Sequence, residues 1–319
     1  MTARRWWAGR PPAAGGASMA AAIISVGLRL TGYDVASAVF LVPAVVAWLL
    51  LAALFADRLL LDRGTWKAQA ETPAALTSIA ATTVLGTRLS LQGRQETAAA
   101  LLIVATVLWP VLLPSVVRHW KPRLPGAGFL VCVATEGLAV LAGSLALAQR
   151  QAWLMWAALG CFVLGLLLYA AVLPRFDAGQ LRTGSGDQWV AGGALAISAL
   201  AGSRLVTASA ANGPLHWAPS AHGTLRVLTI VLLVLDLCWF AVLLVCEVRW
   251  PRPRYDVRRW STVFPIGMTA VACLAVATAA DVPVAETAGR VLLWPSLVLW
   301  VVVFVGTVRS ALAGREPPA

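Results

Sequence analysis

Three arginines recur in one local setting inside apolar sequence: Gly27-Leu28-Arg29-Leu30, Gly86-Thr87-Arg88-Leu89 and Gly202-Ser203-Arg204-Leu205. A guanidinium in hydrocarbon is costly unless water, a carboxylate or an anion meets it, so three at matching register point to an electropositive vestibule that gathers anions. Snorkelling to the interface, or pairing between helices, explains single arginines equally well. Glu136, between Thr135 and Gly137, is the one acidic residue in the middle of a small-residue apolar stretch. Such a carboxylate carries a proton, exchanges one during transport, pairs with an arginine, or simply ties two helices together as a neutral acid. Asp236 interrupts a very apolar run and is expected to point inward to a neighbouring helix.

The hydroxyls Ser25, Ser78, Thr82, Thr83, Thr87, Thr135, Ser144 and Ser198 offer hydrogen bonds to a partly dehydrated anion, or else bond back to their own helix. Further along, Trp260-Ser261-Thr262-Val263-Phe264-Pro265-Ile266-Gly267-Met268 places proline inside a helix. Pro265 cannot donate to the Ser261 carbonyl, so the backbone kinks and leaves an acceptor open. Phe264, just before the kink, is placed to swing into an axis as a plug; on spacing alone, packing is its ordinary role. Enzyme signatures are missing: no phosphate-binding glycine loop, no His-Glu-x-x-His and no Gly-x-Ser-x-Gly. Neither metal nor cofactor is expected, and Cys132, Cys161, Cys238, Cys246 and Cys273 read as small buried hydrophobes.

The elements that must hold these residues follow from composition. A chain of 319 residues, 60% hydrophobic and 12% charged, has too little polar surface to cover a soluble core. It reads as one transmembrane domain over 1–319, an all-α integral membrane protein with ten helices near 13–33, 36–56, 72–90, 96–116, 124–148, 152–173, 187–209, 222–248, 259–280 and 289–311. The windows 18–33, 72–90, 126–144, 189–207 and 261–279 hold Gly, Ala, Ser or Thr at 51 of 92 positions, and the alternate windows 38–56, 98–116, 153–171, 226–244 and 291–309 at 23 of 95. Small residues allow close helix approach or leave axial space unfilled, whereas bulky aliphatics suit lipid. The expected architecture is therefore five helical hairpins, with odd helices as an inner ring around a central pore and even helices as an outer ring.

The net charge of +11 is spread over short loops rather than gathered on one arm, which argues for topology rather than nucleic acid. With the N-terminus inside, 18 Lys and Arg fall on the cytoplasmic side against 7 outside, so both termini are expected in the cytoplasm of a plasma-membrane protein.

Three stretches carry a resemblance: Arg258 to Met268, Gly186-Asp187-Gln188-Trp189-Val190-Ala191-Gly192-Gly193-Ala194, and Gly128-Phe129-Leu130-Val131-Cys132-Val133-Ala134-Thr135-Glu136. They resemble the tellurite-resistance/dicarboxylate transporter family, which includes plant slow-type anion channels. The resemblance implies ten helices around a pore blocked by a helix 9 phenylalanine, here matching Phe264. It also implies a homotrimer passing chloride, nitrate, sulfite or malate. The chain departs from the family in carrying little proline on its inner helices outside helix 9.

The reading is a non-enzymatic permease, channel or carrier, for small inorganic anions or four-carbon dicarboxylates. Phe264 with Pro265 forms the gate, Arg29, Arg88 and Arg204 attract anions, and Glu136, Thr135, Thr82, Thr83, Ser25 and Ser198 line the pathway or handle protons. A proton-coupled dicarboxylate or oxyanion carrier using Glu136 is the alternative, with an intramembrane enzyme or a non-transporting scaffold behind it.

Overall fold

The computed structural model describes residues 15–210, 213–215, 219–252 and 255–312; the first two positions of the predicted range 13–33, and both chain ends, lie outside them. The principal helices are α1 (Gly15–Leu30), α2 (Asp34–Leu61), α3 (Thr77–Ser90), α4 (Gln95–Arg118), α5 (Leu130–Gln149), α6 (Ala152–Val172), α7 (Val190–Ser209), α8 (Pro219–Arg249), α9 (Trp260–Ala280) and α10 (Pro283–Leu312). Between α1 and α2, and between α3 and α4, the chain turns at Gly32 and Gly93, each with φ of 85°. The turn after α5 uses Arg150 at φ 55° and that after α9 uses Asp281 at φ 52°, non-glycine residues in a region that costs about 1–2 kcal/mol.

Eight of these helices are long and apolar enough to cross a membrane, making this a multi-pass membrane protein. The other two, α1 at 16 residues and α3 at 14, are shorter than the predicted ranges 13–33 and 72–90. The shortfall in α3 has a local cause, because a 3-10 turn at Pro73–Leu76 precedes the α-helix. Elsewhere the helices outrun expectation: α2 continues to Leu61 rather than 56, and α10 starts at Pro283 rather than 289. Proline is tolerated at a first turn, where its missing N–H has no intrahelical partner. Asp62 ends α2 and caps a further short helix, Arg63–Ala70, by accepting the Thr65 backbone N–H at 3.0 Å.

Each odd helix packs against the even helix that follows it. Odd helices also pack on one another: α1 on α3, α3 on α5, α5 on α7, α7 on α9, and α9 back on α1. Their first turns gather at one end, because glycines there admit backbone or side chains where a Cβ would collide. Gly15 abuts Thr77, Gly16 abuts Trp260, Gly126 abuts the Asp187 carbonyl, and Gly186 abuts the Arg258 carbonyl. Besides Pro73–Leu76, 3-10 turns at Gly126–Phe129, Asp187–Trp189 and Val257–Arg259 lead into α5, α7 and α9.

Burial separates the two sets. The most apolar windows of the spans containing α5, α7 and α9 are 94%, 89% and 83% buried, whereas those of α2, α4, α6, α8 and α10 range from 6% to 28%. The exposed faces of the even helices are rows of valine and leucine such as Val39, Val42 and Val46, or Ile103, Val107 and Val111, which suits hydrocarbon. All five cysteines are free thiols, but the expectation that all are buried fails for Cys238, which is exposed on α8, and for Cys161 and Cys246, which are half-buried. In hydrocarbon an exposed thiol carries no penalty, so lipid contact replaces burial.

Candidate functional site

All five odd helices contribute side chains to one narrow cavity. Ile23 and Val26 come from α1, Thr83 and Thr87 from α3, Gly137 and Val140 from α5, Ile197 and Leu200 from α7, and Met268 from α9. The cavity holds about 10 Å³ of space for water centres, roughly enough for a single water. Its polarity is low because the Thr83 and Thr87 hydroxyls donate to the Ala80 and Thr83 carbonyls at 3.0 and 2.9 Å. Each keeps lone pairs to accept but presents mainly its methyl group.

Helical spacing carries the same face beyond the cavity. Phe264 lies four residues before Met268, so it shares that face one turn toward the gathered first turns of the odd helices. It is 1% exposed, and Pro265 packs against Gly193 of α7, where no Cβ stands in the way. In the opposite direction Arg204 lies four residues beyond Leu200. The half-buried Arg204 has buried Nε and Nη2 atoms with no hydrogen-bond partner among the described residues, and its Cβ fits against Gly143 of α5.

The other two arginines of the repeat have partners. Arg29 is 39% exposed at its side chain and forms an ion pair with Asp34, at the start of the neighbouring helix. Arg88, 2% exposed, donates from Nε to the Ser25 hydroxyl at 2.8 Å and the Ser37 hydroxyl at 3.0 Å, leaving Nη1 without a partner among the described residues. Ser25 and Ser37 also donate to each other's carbonyls, at 2.7 and 2.6 Å, so α1, α2 and α3 are joined in one polar knot.

The remaining predicted residues sit away from the cavity lining. The Thr82 hydroxyl donates to the Ser78 carbonyl at 2.7 Å and accepts from the Trp48 indole of α2 at 2.9 Å. Thr135 does the same between Val131 of its own helix, at 2.8 Å, and Trp109 of α4, at 3.0 Å. Glu136 is fully buried and accepts from the Ser198 hydroxyl at 3.0 Å, with its carboxylate lying where a side chain on Gly165 of α6 would go. Its Oε2 has no partner among the described residues. Asp236 is likewise buried and accepts from Thr269 of α9 at 3.2 Å, the inward orientation expected of it.

Sequence reasoning missed Met268, Ile197, Leu200 and the indoles of Trp48 and Trp109. A turn-by-turn extrapolation finds the first three, since each lies three to seven residues from a named neighbour on one helical face. Nothing local marks the tryptophans, because their partners lie on other helices.

Just outside the span that contains α9, Asp256 accepts from the Arg258 backbone N–H at 2.8 Å and from its guanidinium at 3.0 and 2.8 Å. Burial by itself would raise this carboxyl, but the Arg258 hydrogen bonds and charge outweigh it and hold it below the usual carboxylate range.

These features define an all-helical, multi-pass membrane protein that holds arginine, carboxylate and hydroxyl groups among closely packed helices. The chain belongs to the voltage-dependent anion channel family, whose sequence profile matches residues 10–308. Two further similarities are to an uncharacterized membrane protein of Mycobacterium tuberculosis, in strains CDC 1551 / Oshkosh and ATCC 25618 / H37Rv. Each is 32% identical over 136 residues, which is 40% of this chain, and the match spans 66% of the relative's length.

Proposed function

We propose that the chain is an anion permease in which five helical hairpins place α1, α3, α5, α7 and α9 as an inner ring, α1 and α3 completing ten crossings, around an axial pathway. The observation that carries this reading is the cavity shared by all five odd helices, with an unpartnered guanidinium one turn beyond one end and a phenylalanine one turn beyond the other. Arg204 gathers the anion, Thr83 and Thr87 line its path, and Phe264, held by Pro265, closes it. Arg88 adds positive potential from the side, whereas the charge of Arg29 is offset by its ion pair with Asp34. The cargo is a small inorganic anion or a four-carbon dicarboxylate, and the protein works as a homotrimer in the plasma membrane with both termini in the cytoplasm. Purified protein in liposomes, given chloride, nitrate, sulfite and malate under imposed voltage, tests this directly. Absence of flux for every anion in both the parent and Phe264→Ala overturns it.

A second reading rests on Glu136. A carboxylate buried against Gly165, with one oxygen unpartnered, suits a carrier that couples an oxyanion or dicarboxylate to protons. Flux driven by a pH gradient and abolished by Glu136→Gln supports it; flux indifferent to both removes it.

A further inference from the structure

Away from the axis, a cleft of about 580 Å³ opens between the end of α8, the segment leading into α9, and the last turns of α10. One side of its lining carries Arg252, Arg259 and Arg309 with a single acid, Glu247. The other is apolar, formed by residues of α10 that include Leu299, Val302 and Val305. Gly306 lets the Tyr255 ring pack directly on α10, since any side chain there would strike it, and Tyr255 is held further by a 2.8 Å hydrogen bond between its hydroxyl and that of Thr307.

Charge and position together select an occupant. Glu247 receives Arg252 at 3.0 Å and Arg259 at 2.7 Å, and a second donor of each goes to the Gly184 and Arg252 carbonyls, so these two are fixed in place while three guanidinium charges face one carboxylate and the cleft keeps an excess of positive charge. Arg252 Nε is buried without an acceptor among the described residues, and Arg309 is exposed on the last turn of α10. The apolar wall continues onto the exposed stripe Val298, Val301, Val302, Val305 and Val308, the face this helix turns to hydrocarbon. A water-soluble anion would use the arginines but not the stripe; a neutral lipid would use the stripe but not the arginines.

We propose that this cleft binds an anionic phospholipid, its phosphate against Arg309, Arg259 and Arg252 and an acyl chain along Val302 and Val305. Basic pockets between membrane helices are suited to such headgroups, each surface cation adding a modest increment. The site is separate from the axial pathway and does not depend on the transport reading.

The test is native mass spectrometry of the full chain in detergent, with phosphatidylglycerol and phosphatidylcholine supplied in competition. The parent should retain phosphatidylglycerol preferentially. Arg309→Gln should cut that preference roughly five-fold, the loss of about one surface cationic contact. Val302→Trp, which fills the cleft, should reduce retention of either lipid. Arg118→Gln, an exposed arginine at the end of α4, should change nothing. Equal retention of both lipids by the parent, an unchanged preference in Arg309→Gln, or the same loss in Arg118→Gln each overturns the proposal. So does displacement of the lipid by inorganic phosphate, or a crosslink placing a second copy of the chain at Val302. Matching melting temperatures for parent and Arg309→Gln exclude misfolding as the cause.

Discussion

Arginines in the same Gly-x-Arg setting end in three different electrostatic situations. Arg29 is neutralised by Asp34 in partial solvent, Arg88 gives its Nε to two serines and keeps only Nη1 without a described partner, and Arg204 keeps both Nε and Nη2 unused one turn from the cavity. If Arg204 is the group that concentrates anions, Arg204→Gln should lower anion flux about tenfold at low ionic strength, with the difference shrinking as salt screens the charge. Arg29→Gln, already compensated, should have a smaller effect in the same vesicle assay. Phe264→Ala should raise flux roughly tenfold, equivalent to ~1.4 kcal/mol off the barrier. Flux unchanged in that variant removes Phe264 from the gate.

Between helices, the recurring device is a hydroxyl on an odd helix bonded to an indole on an even one. Trp48 to Thr82 and Trp109 to Thr135 fasten neighbouring pairs in the same manner. Each such bond within a membrane is worth about 0.6 kcal/mol, so Trp109→Phe should lower the detergent melting temperature slightly without changing anion preference. Close approach of the first turns costs more to disturb. Gly126→Ala drives a methyl group into the Asp187 carbonyl, and the backbone shift should destabilise by about 1–3 kcal/mol, readable as a drop in the same melting curve. At Gly93 there is space around an added Cβ but φ is 85°, so Gly93→Ala should cost only about 1 kcal/mol.

Across the whole molecule, the entry to α9 is held by the Asp256–Arg258 cluster, whose Arg258 carbonyl lies against Gly186 at the entry to α7. The Asp256 carboxyl is held lower in the folded protein than when unfolded, so its stabilisation is present above the unfolded value of about 3.9 and is lost as pH falls through the folded value. Acid should therefore weaken the parent over the pH range below about 4 more than Asp256→Asn, which has already lost the contribution. Thermal unfolding at several pH values distinguishes the two, and parallel curves would show that Asp256 adds no pH dependence.

How much of this was legible beforehand differs with the kind of information. The membrane character, the location of the spans and the division into small-residue and bulky helices follow from composition and local pattern, because each residue's transfer energy is its own and sums along a window. The family resemblance was legible too, in the strings around Glu136, Trp189 and Phe264. Boundaries were less so: the 3-10 turns before α3, α5, α7 and α9 have no strong residue signature. Neighbours on other helices were not legible at all. Thr82 lies beside Thr83 in the chain, yet one residue along a helix is a turn of about 100°, enough to send its hydroxyl to an outer tryptophan rather than toward the cavity.

The sequence by itself determined that this chain lives in a bilayer and which helices bury their surfaces. Only the tertiary structure decided what each matching polar residue meets. Arg88 finds Ser25 and Ser37 across 63 and 51 residues of chain, while Arg204 finds no described partner, although their local sequences are alike. The reason is that the free energy of a buried charge is set by what surrounds it in space, and those surroundings come from helices distant in the chain.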